Sequence, residues 1–232
     1  MIEKAIEVEK KYQEDREKGI ENKSLAELLN PFGYNNLENY FLDKINYQLK
    51  HVGIQAYEGD MLGIPDAIAE SVKTATPTTF FPYARRKFIW HGNEEIDLEL
   101  CEKLNIDILT LDYFGGNIVS GPEDFSMGFL VPKTIDVSFE YVLNRFANFY
   151  KKYFKDVIVD NNDIIINGNK IQGSICFEGN GMFFFGTAIS FTDRTDLIKQ
   201  ICKKKSTKIP GFIDNNILTK EELVQEVKSW VH

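Results

Sequence analysis

Residues 160–191 read DNNDIIINGNKIQGSICFEGNGMFFFGTAISF, and the fold turns on how this stretch is folded. Residues 163–166 are β-branched and apolar, Asn167-Gly168 is the dipeptide best suited to a tight hairpin turn, and residues 170–177 follow as a second strand. A second glycine-rich turn over 178–181 leads into residues 182–191, a third strand too apolar to keep a solvated face. The spacing predicts a three-stranded meander with Lys170 just past its first turn. Read alone, a lysine there is a solvated charge.

On the C-terminal side, Asp193 is in position to cap a helix running to Ile201. Lys203-Lys204-Lys205 then places cations where the helix dipole favours them. Thr219 heads a last helix with Glu222 in capping-box position. On the N-terminal side, residues 157–159 lead into the meander and 137–153 form a helix with Phe139, Val142, Leu143, Phe146 and Phe149 buried. Strands are expected over 79–84, 87–90, 106–111 and 124–131, with a helix carrying Leu98, Leu100, Cys101 and Leu104. His91, at a strand end, reads as a hydrogen-bonded structural histidine.

Residues 1–29 carry dense charge over Ile2, Ala5, Ile6, Val8 and Tyr12, break at Gly19, and resume at Ser24 as an N-cap: two short helices. Residues 30–36, NPFGYNN, open a helix whose Leu37, Tyr40, Phe41, Ile45 and Leu49 recur at helical spacing. Gly53, Gly59, Gly63 and Pro65 then break the chain, with a short helix over 66–72 starting at or near Pro65. Residues 53–79 read as an insertion and a surface excursion, with a lid over a cleft as the alternative.

The 232 residues suffice to bury roughly 70% of the unfolded surface without staples. A hydrophobic fraction of 43% with 18 Phe and 10 Tyr excludes a disordered chain and favours strands. A formal charge of −8 argues against whole-protein attraction to nucleic acid or to an anionic membrane, and no apolar run approaches the ~18 residues needed to span a bilayer. Cys101, Cys176 and Cys202 form no CxxC and no disulfide framework, and a charged run follows Met1, so a cytoplasmic protein is expected.

The central stretch resembles the lipoate-protein ligase and octanoyltransferase family, a branch of the biotin/lipoate ligases. The likeness rests on Asn162-Asp163-Ile164, on Gly168-Asn169-Lys170-Ile171-Gln172-Gly173-Ser174 and on Gly186-Thr187, with Phe185 where the family has histidine. Pro31 to Leu42 is similar to the run that opens the family's catalytic domain. Gly115-Gly116 and the hydrophobics after Asn117 are similar to its glycine-rich strand-turn, whose backbone N–H groups approach acyl and phosphate groups. There the arginine pair aligns with Leu111-Asp112, the serine with Phe114 and the third glycine with Asn117. The likeness spans roughly 30–212.

The resemblance implies an α/β (α+β) fold, a mixed, largely antiparallel sheet flanked by helices, with an acyl chain in a sheet-lined tunnel. It implies a domain at 30–212, between a helical extension at 1–29 and a C-terminal helix at 213–232. It also implies an acyltransferase that activates a lipoyl- or octanoyl-type acid with ATP and Mg2+ as an adenylate and passes it to a lysine of a lipoyl-carrier domain. Lys170 is then the catalytic residue, contacting carboxylate and phosphate. Gly115, Gly116, Asn117, Asn162, Asp163, Gly173, Gly186 and Thr187 bind substrate and nucleotide, and no metal site is built from the chain. A transferase route needs a nucleophilic cysteine. Cys176 does not stand where the family carries one and reads as a small core residue, and 209–211 reads Ile-Pro-Gly where one branch has Pro-Cys-Gly. An Asp112 carboxylate facing the phosphates opposes them, leaving Arg85 or Arg86 to substitute. The alternative is a degenerate member that keeps the scaffold as an acyl- or partner-binding module.

Overall fold

The computed structural model describes residues 1–21, 23–92, 94–110, 117–203 and 208–231, in two units, Met1–Gly53 and Ile54–Trp230. The first is helical: α1 (Ile2–Glu17), α2 (Leu25–Leu29) and α3 (Leu37–His51), with a 3₁₀ turn at Asn30–Phe32. Ser24 starts α2 with a full capping box, since its Oγ accepts from Glu27 N while Glu27 Oε2 accepts from Ser24 N. Ala5, Leu25, Leu29 and Tyr40 make this unit's core. Within it a buried Glu9 accepts from Lys44 Nζ at 2.6 Å and Tyr40 Oη at 2.7 Å, so the charge is paired and hydrogen-bonded.

The second unit runs β1 (Gln55–Tyr57), α4 (Ile64–Thr74), β2 (Thr78–Phe80), β3 (Phe88–His91), α5 (Leu98–Lys103), β4 (Asp107–Thr110), β5 (Ile118–Ser120) and β6 (Phe125–Pro132). It continues with α6 (Phe139–Tyr150), β7 (Val157–Asp160), β8 (Asp163–Ile166), β9 (Asn169–Gly179) and β10 (Met182–Ile189). It closes with α7 (Thr195–Ile201), β11 (Ile209–Pro210) and α8 (Lys220–Val231). The large sheet has the order β1-β2-β6-β10-β9-β8-β7, with β11 added to β9, and β4-β3-β5 forms a second, small sheet. Pairing is antiparallel except for β1 with β2, β11 with β9 and β3 with β4. The fold is therefore a mixed, largely antiparallel sheet flanked by helices.

Both expected turns form. Asn167 and Gly168 take φ of 51° and 79°, and Asn180 and Gly181 take 49° and 72°, the left-handed values a tight hairpin turn needs. β10 is buried along its whole length because each face has a cover. On one face Phe185 stacks on Phe129 at 5.3 Å and on Phe146 of α6 at 6.2 Å, and Phe146 meets Trp230 of α8 edge-on at 4.7 Å. On the other, Met182, Phe184 and Ala188 pack with Ile64 and Ile68 of α4 and with Phe88 and Trp90 of the small sheet.

Two expectations need correcting. Asp193 is not the formal N-cap of α7, a place held by Arg194, although Asp193 Oδ1 does accept from Thr195 N at 2.9 Å. Arg194 itself turns inward to Asp124 at 2.9 Å and Glu123 at 2.7 Å. Cys176, expected in the core, is exposed, because the far end of β9 runs beyond its cover; Cys101 is the buried thiol. Thr219 and Glu222 form the capping box that starts α8. No described helix is long and apolar enough to cross a membrane.

Candidate functional site

Lys170 and Gly173 are three residues apart on β9, a spacing that in a regular strand sends them to opposite faces. The register with β8 shows why they meet. Asp163 opposes Gly173 and Ile164 opposes Gln172, but Ile165 opposes Lys170, so Ile171 is an extra residue. This β-bulge returns Lys170 to the face that carries Asp163 and Gly173. The contact confirms it, since a Cβ built on Gly173 would lie 3.3 Å from Lys170 Cε and 3.4 Å from its Nζ. β11 holds the backbone from the side, with Gly211 N donating to Lys170 O at 2.9 Å.

Asp163 organises the charges. Its side chain is 5% exposed, with Lys170 Nζ 2.9 Å from Oδ1 and Lys208 Nζ 2.6 Å from Oδ2. Lys208 also reaches Asp160, at 3.0 Å from Oδ2 and 3.2 Å from its carbonyl oxygen. Burial works against the charged Lys208, but the hydrogen bonds to Asp163 and Asp160 outweigh it and raise its pKa above the ordinary lysine value. Among the described residues Oδ1 of Asp163 has no hydrogen-bond partner, so Lys170 meets it as a charge contact rather than a directed bond. An ammonium held that way can turn its N–H groups to an incoming anion, and its side chain keeps 31% exposure to receive one.

Beside Gly173 lies an apolar cavity of about 30 Å³. Ile64 and Ile68 of α4, Phe80, Trp90, Ile175 and Phe184 wall it, and Gly128 and Gly186 lie on its sheet side. Residues 64–74 are thus part of its wall and not the surface excursion expected from the glycines around them. Asn180 pins α4 in place by donating to the carbonyls of Val72 and Lys73 at its C-terminal end. Thr187, also at the cavity, begins a buried relay. Its Oγ1 lies 2.9 Å from Ser174 Oγ, Gln172 Nε2 donates to Ser174 Oγ at 3.3 Å, and Tyr150 Oη donates to Gln172 Oε1 at 2.9 Å. Every member has a partner, the condition under which a buried polar chain rigidifies a core.

Lys170 and Asp163 lie against Gly173, which lines the cavity with Gly186; Thr187 borders the cavity while its hydroxyl turns to the α6 face, and Asn162 Nδ2 donates to Ser174 O at 2.8 Å. Asn117 is committed elsewhere: Oδ1 accepts from Gly92 N at 3.1 Å and lies 3.1 Å from His91 Nδ1, while Nδ2 donates to Glu94 O. It ties Gly92 and Glu94 to the start of β5. Its neighbour Ile118 reaches the site, with Cδ1 3.0 Å from the built Cβ of Gly173. Gly115, Gly116 and Asp112 lie outside the described residues. Trp90, Ile64, Ile68, Gly128 and Lys208 were not singled out from sequence; Gly128 carried a signal, as a glycine inside the apolar strand run 125–131.

Arg85 and Arg86 line a separate hollow of about 340 Å³. Each is paired, Arg85 with Asp60 at 2.8 Å and Arg86 with Asp107 at 2.6 Å and Asn105 at 2.7 Å. A phosphate there would meet guanidiniums whose charge a carboxylate already offsets. No thiol is activated either: burial pushes Cys101 and Cys202 up from the ordinary value, and at the exposed Cys176 partial desolvation together with the Glu178 carboxylate acts in the same direction. Cys176 also opposes Phe185, on the α6 face of the sheet.

Residues 62–228 match the lipoyl protein ligase A/B catalytic domain. The chain belongs to that family. Among solved structures it is similar to protein Ta0514 of T. acidophilum with bound lipoic acid, at TM-score 0.60 and 14% identity over 76% of this chain and 83% of that one. It is similar also to the bi-partite lipoate protein ligase studied with its E2 lipoyl domain from Thermoplasma acidophilum, at 0.61 and 14% over 76% and 82%. A lipoate-protein ligase A bound with ATP matches at 0.58 and 15% over 76% and 82%. At such identities the likeness establishes the fold. No curated protein matches the chain at the level of sequence.

Proposed function

We propose that this family member activates a carboxylic acid with ATP and passes the acyl group to a lysine of a carrier domain. The observation that carries the reading is the Lys170 ammonium, re-aimed by the bulge at Ile171 to stand against Gly173 at the rim of an apolar cavity. The acid's carboxylate attacks the α-phosphorus of ATP and pyrophosphate leaves; the carrier amine then attacks the acyl carbon and AMP leaves. Lys170 bears on both steps, since a fixed cation stabilises the charge that builds on carboxylate and phosphate oxygens. Similar proteins with bound lipoic acid and with ATP, and one studied together with its E2 lipoyl domain, support acid, nucleotide and partner in that order. Among the described residues no three His, Cys, Asp or Glu side chains gather as a metal cage, so Mg2+ would arrive with the nucleotide.

A second reading, a scaffold that binds acyl groups without activating them, is favoured by the pairing of Arg85 and Arg86 with carboxylates. ATP–pyrophosphate exchange in the presence of lipoate, octanoate, shorter acids or biotin separates the two. Acid-dependent exchange, lost on Lys170→Ala, supports the ligase. Its absence with every acid leaves the binding module.

A further inference from the structure

Gly128 and Gly186 oppose each other across β6 and β10, and Phe184, two residues from Gly186, shares their face. Its ring folds back over both. A Cβ on Gly186 would lie 2.8 Å from Phe184 Cε1, and one on Gly128 would lie 3.1 Å from Phe184 Cζ. The ring is held there by Phe177, stacked at 4.7 Å and 24°, and by Phe80 at 6.1 Å, and it is 3% exposed. The two missing side chains therefore make room for the ring. What remains open is about 30 Å³, enough for about two water molecules.

Resting on the acyl-acid reading of the site, we propose that Phe184 determines substrate length. The ring closes the end of the slot away from Gly173 and Lys170, so that a carboxylate at Lys170 is followed by a short chain and not by an octanoyl or lipoyl chain. Swinging the ring aside would displace two aromatic neighbours at once, so the closure belongs to the packed core and is not a loose lid.

The test is calorimetric titration of the full chain with acetate, butyrate, hexanoate, octanoate and lipoate, using wild type, Phe184→Ala and, in case the alanine variant folds poorly, Phe184→Leu. In wild type, affinity is expected to rise to butyrate and gain nothing with longer acids. In Phe184→Ala, octanoate should tighten at least tenfold while butyrate moves less than threefold, with Phe184→Leu between. Wild type that binds octanoate or lipoate more tightly than butyrate overturns the proposal, as do unchanged length preferences in both variants or no binding of any acid to any form. Pyrophosphate exchange with the same acids keeps the two readings apart: binding that obeys the length rule without exchange retains Phe184 and removes adenylation, whereas exchange limited to the long acids in wild type removes Phe184 and retains adenylation.

Discussion

The two faces of the large sheet are built to opposite ends. Towards α6, β10 presents Phe183, Phe185, Thr187 and Ile189, and the aromatic rings of Phe129, Phe146 and Phe185 fill the layer while Tyr150, Gln172, Ser174 and Thr187 satisfy one another. Towards α4, the same sheet places Gly128, Gly173 and Gly186, leaves a cavity and brings in an ion cluster. One strand thus serves stability on one side and chemistry on the other. Alternation with period two makes this possible, since the faces can be changed independently.

Mutations should separate in the same way. The largest effect on folding is expected at Phe185→Ala, which empties a fully buried position between Phe129 and Phe146 and should destabilise by about 3–5 kcal/mol in urea unfolding. A loss under 1 kcal/mol would mean that this face does not carry the stability. Lys170→Ala should cost less stability than Phe185→Ala, since Lys208 still pairs with the buried Asp163, and should lower acid-dependent exchange about 100-fold, near 2.7 kcal/mol of transition-state stabilisation. Equal losses in stability and exchange would erase the distinction between the faces.

Tyr150→Phe removes the donor to Gln172 and should lower stability by about 1–2 kcal/mol, with exchange per folded molecule preserved. The smallest effect is one of pH. Because folding raises the Lys208 pKa, its contribution is complete below the unfolded-state value and is lost as pH climbs through the folded one. The melting temperature should fall on the alkaline side, and Lys208→Met should reduce that alkaline slope. An identical slope in the variant would show that the Asp163–Lys208 pair does not titrate with folding.

Local chemistry made the hairpins legible. Asn167-Gly168 and Asn180-Gly181 adopt the left-handed backbone those residue pairs favour, and the unbroken apolar run from Met182 is a strand covered on both sides. The bulge was not legible, because nothing in Lys170-Ile171-Gln172-Gly173 marks Ile171 as the extra residue; only its register with β8 does. Trp90, Ile64 and Ile68 reach the cavity by tertiary packing from elements distant in sequence, and Lys208 lay beyond a charge run that drew the reading to 203–205. Cys176 misled because alternation says which side a residue faces but not whether anything covers it there.

A crystal structure of the chain with a non-hydrolysable acyl-adenylate carrying a short acyl group tests the central claim most directly. The expected result places a carbonyl or phosphate oxygen within hydrogen-bond distance of Lys170 Nζ and the acyl carbons beside Trp90 and Ile175, stopping at the Phe184 ring. The claim would be contradicted by an analogue bound in the hollow of Arg85 and Arg86, with Lys170 still turned to Asp163.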